Sequence, residues 1–229
     1  MIRLIYSPVW FYGKDIIIDV ISIIVLCLIS FFSFKCYKMQ KNKNHVYLSV
    51  SFLSLALAFL FKILMNFTIY YHVVETSTVG MLTFTYNTMK PTDLFFFFGF
   101  LLYRVLTLFG LYMLYSLYQK QSTPNFILVS FLFLMLTYYS QAAYYIFSLT
   151  CFVLLALITA SLVAGYKKNR FKMTKMLAVS FAVIGISQVF FVLVYLKVQY
   201  YVLGEAMQLL GYLLLLLSFV MVLRDAKKN

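Results

Sequence analysis

The sequence predicts an all-α, polytopic transmembrane bundle of seven helices with the N-terminus outside and the C-terminus inside. Three observations carry this. First, 64% of the 229 residues are hydrophobic and only 11% charged, with a mean hydropathy of +0.94. A soluble domain carries about 25% charged residues. Second, apolar segments long enough to cross roughly 30 Å of hydrocarbon recur along the whole length. They lack the period-two alternation of barrel strands. Third, the basic residues are asymmetric: with the N-terminus outside, 13 of the 19 Lys and Arg fall on inner segments, 4 on outer ones, and Lys62 and Arg104 within spans. Basic loops stay on the cytoplasmic side.

The expected spans are 15–37, 46–71, 93–118, 124–140, 142–166, 173–197 and 200–223, forming one domain over 1–229. Ahead of the first, MIRLIYSPVWFYGKD is too short and aromatic for a cleaved leader, so that span is expected to stay. Tyr6, Trp10, Phe11 and Tyr12 suit an interfacial belt. Between the second and third spans, HVVETSTVGMLTFTYNTMKPTD (72–93) is rich in threonine and β-formers around Gly80. It predicts either a plain loop or a short hairpin over the bundle mouth, which could serve as a lid. The fourth span, PNFILVSFLFLMLTYYS, is the shortest, and a re-entrant segment within a six-helix bundle is its alternative. No internal repeat is visible to the eye.

The net charge of +13 is met by the lipid bilayer, because basic inner loops suit an anionic inner leaflet. No motif supports nucleic-acid binding. Cys27 and Cys151 fall within spans and Cys36 at an inner boundary, which does not suit a disulfide framework. His45 and His72 lie near opposite faces, too far apart to share a metal. The sequence therefore predicts neither metal nor cofactor. With no catalytic constellation either, a non-enzyme is expected.

Charge within the spans is the main functional signal. Asp19, Lys62, Arg104 and Glu205 would each cost about 2.5–3.5 kcal/mol facing lipid at mid-depth. They should face one another or a watery cavity. At 1.5 Å per residue, Asp19 and Glu205 lie roughly 6–7 Å from their outer helix ends, Lys62 about 13 Å and Arg104 about 16 Å. Snorkelling brings the basic heads outward. Helical spacing adds Asn66 beside Lys62, Gln188 on the sixth span, and Gln208 beside Glu205, whose expected partner is Lys62 or Arg104. Asp15, Asp19 and Ser22 share a face of the first span, and Asp93, Phe97, Phe100 and Arg104 one of the third. The candidate ligand-binding or ion-pair cluster is Asp19, Lys62, Asn66, Arg104, Gln188, Glu205 and Gln208. A purely structural set of packing contacts is its alternative.

Seven helices, this length and orientation, and Arg104 in DLFFFFGFLLYRVLTLFGLYML resemble a microbial rhodopsin in topology only. The seventh span has no lysine to hold retinal. Sugar transporters of the SWEET type share the helix count, but Pro8, Pro91 and Pro124 lie at or outside span boundaries and not where that family kinks its helices. GEAMQLLGYLLLLLSFVMVLR resembles the last helix of seven-helix input modules of sensor histidine kinases, and the whole is similar to small, uncharacterised prokaryotic seven-helix membrane proteins. That resemblance implies a receptor-like or sensory protein of the cell membrane, passing its signal to a separate partner through basic inner loops. A small secondary transporter or proton-coupled channel is the second expectation, and a structural subunit of a membrane complex the third. No feature names a ligand.

Overall fold

The computed structural model describes residues 8–11, 13–70, 76–79, 82–85, 91–119, 123–139 and 144–226. Among them the chain forms seven helices: α1 (Lys14–Gln40), α2 (Lys43–Tyr70), α3 (Pro91–Ser116), α4 (Thr123–Tyr139), α5 (Tyr144–Asn169), α6 (Lys172–Leu193) and α7 (Gln199–Ala226). Six are long and apolar enough to cross a membrane. This is a membrane-embedded helical bundle. Apolar side chains such as Ile17, Ile24, Phe31 and Leu217 lie exposed around its outside, where lipid and not water is the solvent.

The boundaries follow local chemistry. Proline opens α3 at Pro91 and stands in the first turn of α4 as Pro124, where its missing N–H costs no helical bond. Lys41 (φ 51°) ends α1 and Arg170 (φ 50°) ends α5, both left-handed. Their backbone N–H groups donate to Tyr37 O at 2.7 Å and Tyr166 O at 2.8 Å, satisfying carbonyls that the helix ends leave open.

The 72–93 segment does contain a hairpin. β1 (Thr76–Val79) pairs antiparallel with β2 (Leu82–Thr85), Thr76 opposite Thr85 and Val79 opposite Leu82. Residues 71–75, 80–81 and 86–90, and with them the lid expectation, lie outside the described residues. Tyr6 and Tyr12 lie outside them too, while the belt expectation divides the other two aromatics. Trp10 is exposed, but Phe11 is buried against Phe191, Val194 and Tyr201.

The helices close into a ring in the order α1, α2, α3, α5, α6, α7, with α1 meeting α7, and α4 packs outside against α3. Tyr112 anchors α4, stacking on Phe126 at 5.3 Å and meeting Phe133 edge-on at 5.6 Å. Phe147, near the start of α5, lies beside Tyr103 of α3. The 17 residues of α4 span about 25 Å, less than the roughly 30 Å of hydrocarbon that each of the six longer helices is long enough to cross.

In lipid, apolar contact alone gives helices little reason to associate, so close backbone approach and interhelical hydrogen bonds carry more of the packing. Ser30 and Ser49 donate reciprocally to each other's carbonyl oxygens at 2.9 Å, joining α1 to α2. The Ser54 hydroxyl donates to Leu106 O at 3.0 Å, joining α2 to α3. At Gly110 a Cβ would lie 3.0 Å from Ser51 O and from Leu55 Cγ. At Gly211 it would strike Ile184 Cγ1 and lie 3.3 Å from Ser180 O.

These two glycine contacts resemble each other. Ser51 and Leu55 of α2 stand 129 positions before Ser180 and Ile184 of α6. The same shift carries Lys41 onto Arg170, Tyr37 onto Tyr166, and the tripeptide VSF (50–52) onto VSF (179–181). The α2–α3 and α6–α7 pairs therefore approach each other through the same kind of contact, a glycine of the later helix against a serine carbonyl and a branched aliphatic side chain of the earlier one.

Enlarging Gly211 to leucine should destabilise the bundle by about 1–3 kcal/mol, because the α6–α7 backbones cannot part cheaply. Gly165→Ala should be near neutral, since the nearest atom to its Cβ would be Thr174 Cγ2 at 4.0 Å. Steric-trapping unfolding of both variants in bilayer discs measures the difference.

Candidate functional site: a buried ionic triad

The functional side chains are set by helical registers facing the ring interior. On α1, Asp15 and Asp19 are one turn apart and both buried. Lys62 on α2 crosses that turn because α1 and α2 run antiparallel. Its Nζ donates to Asp19 Oδ1 at 2.8 Å and to Glu205 Oε1 of α7 at 2.6 Å. Three helices therefore meet at one ammonium group. The ring of Phe59, one turn away, lies 5.4 Å from Nζ and shields it further.

The triad holds two carboxylates and one ammonium, all at most 5% exposed. Asp19 Oδ2 and Glu205 Oε2 are buried without a hydrogen-bond partner among the described residues. Asn66, one turn outward from Lys62, extends the array by donating its Nδ2–H to Asp15 Oδ2 at 3.4 Å. Asp15 was not among the expected site residues. Its position one turn from Asp19, on the same face, was the available signal.

Gln188 and Gln208 form a second group, one turn deeper than Glu205, around a small closed cavity. Their amide contacts are long: Gln188 Nε2 to Ser187 Oγ and Gln208 Nε2 to the Tyr212 hydroxyl, each at 3.4 Å. Arg104 takes a third place. It is fully buried, and its guanidinium lies over the Phe100 ring at 3.8 Å and beside the Phe147 ring of α5 at 5.1 Å. The partner of Glu205 is thus Lys62. The side chain of Asp93 lies outside the described residues.

Arg104 stands six residues before Gly110, as Glu205 stands six before Gly211. The two occupy equivalent places in opposite halves, one at the α3–α5 seam and one at the α7–α1 seam. Asp19 maps onto Ser148, whose hydroxyl is buried without a partner among the described residues, and Lys62 maps onto Phe191. One seam holds the ionic triad; in the other the Arg104 guanidinium lies against Phe100 and Phe147. Among the described residues no group of three His, Cys, Asp or Glu is placed to hold a metal ion.

Compared with protein-family models, curated proteins and solved structures, the chain matches none of them.

Removing Lys62 strands two buried carboxylates, whereas removing one acid leaves the ammonium a partner. Lys62→Met should therefore cost about 3–5 kcal/mol, the usual result of breaking a buried pair. Asp19→Asn and Glu205→Gln should each cost clearly less. Unfolding free energies of the three variants in bilayer discs give the ranking.

Proposed function

We propose that the protein is a receptor-like or sensory seven-helix protein of the cell membrane, with the Asp19–Lys62–Glu205 triad as its switch. One observation carries the reading: a single ammonium group holds carboxylates from the first and last helices of the ring. A buried pair whose disruption costs about 3–5 kcal/mol corresponds to about two to four decades in an equilibrium constant. An outside stimulus that competes for either carboxylate, or for the lysine, frees α7 from α1. Movement along α7 then alters the basic inner face, where Lys38, Lys41, Lys167 and Lys168 are available to a cytoplasmic or membrane partner. On this reading the protein is not an enzyme, and binding energy alone drives the change.

The excess of carboxylate over ammonium favours a second reading, a small proton- or sodium-coupled transporter. A site short of one positive charge in a low-dielectric interior takes up a cation. Proteoliposomes under an imposed proton or sodium gradient separate the readings, since only the transporter gives flux.

The switch is tested by paired spin labels at Met39 and Met221, both exposed on inner turns of α1 and α7, in a cysteine-free background. Lys62→Met should add a second distance population to the single one of the parent protein. A folded Lys62→Met variant with an unchanged distribution removes the reading.

A further inference from the structure

The cavity beneath the triad lies where the two halves of the molecule face each other. Its lining comes from α2 and α3 on one side, with Phe59, Thr107 and Leu111, and from α5, α6 and α7 on the other, with Cys151, Gln188, Gln208 and Tyr212. A cavity between two sets of helices is reshaped by any movement of one set against the other.

From α2 and α3 come the apolar Leu55, Phe59 and Leu111, with Tyr103 and Thr107, whose hydroxyl is already committed to Tyr103 O at 2.7 Å. The other side contributes two amides and a phenol. Gln188 donates to Ser187 Oγ and Gln208 to the Tyr212 hydroxyl, each at 3.4 Å, the long end of hydrogen bonding, so both contacts can be exchanged for better ones. No charged side chain lines the cavity. Its volume is about 20 Å³, room for one water molecule.

We infer that this cavity is a binding site for a small, uncharged, hydrogen-bonding solute of the amide or alcohol class. Gln188, Gln208 and Tyr212 are its recognition groups. In the closed form described it has space only for water. Separation of α1–α3 from α5–α7 enlarges it to admit the solute. The site is independent of the ionic switch, because it rests on the neutral lining and not on the triad.

Cys151 also lines the cavity and is buried, which makes it a reporter. With Cys27→Ser and Cys36→Ser in place, it is the sole thiol of the full-length protein in bilayer discs. Its modification by methyl methanethiosulfonate should slow roughly tenfold in concentrated acetamide, the effect of about two net hydrogen bonds. Sucrose at equal osmolarity, too large to enter, should leave the rate unchanged. Gln188→Leu and Gln208→Leu should each abolish the protection while the thiol still reacts. A thiol that stays inert without denaturant overturns the proposal, as does a rate equal in acetamide and sucrose. Protection that persists in both glutamine variants removes their recognition role and overturns it equally.

Discussion

An ammonium group between two carboxylates, sealed from water and from lipid, is the constraint that organises the outer half of this bundle. Lys62 can keep its charge at that depth only where acids meet it, and those acids come from helices at opposite ends of the chain. The ring closes there. The same contact sets three helical registers at once, because sliding α1, α2 or α7 by a single residue rotates its charged group away from the others. A charge that would be prohibitive against lipid thus becomes a positioning device.

Away from the triad, the bundle relies on close approach. Serine hydroxyls bond to carbonyls of neighbouring helices, and Gly110 and Gly211 let backbones come near. The two halves use the same glycine contact but different seams. One seam binds through ions, and the other through a guanidinium held against Phe100 and Phe147.

Much of the fold was legible in the sequence because the bilayer limits what an apolar run of twenty residues can become. Prolines at 91 and 124 and the basic turns near 41 and 170 marked the boundaries to within a few residues. The polar groups of α1, α2 and α7 were legible too, since a charge among apolar neighbours announces that it must be buried with company. The partner of Glu205 was not. Lys62 and Arg104 both have the reach, and the choice depends on α7 lying beside α1 and not α3, a fact of ring order that no local pattern encodes. The likeness of the Gly110 and Gly211 contacts was hidden for a different reason. Leu, Ile, Val and Phe replace one another freely against lipid, which erases most identities. The shift of 129 that matches α1 and α2 to α5 and α6 falls to 101 between Gly110 and Gly211, because the outer connection before α3 is longer than that before α7.

Helix α4 stands outside the ring. It is held against α3, gripped by the Tyr112 ring between Phe126 and Phe133, while Ile127, Leu128, Phe131 and Leu134 face outward. The contacts that close the ring lie among the other six helices. A displacement of α4 is therefore tolerated without parting the ring, which makes this helix the loosest passenger of the bundle.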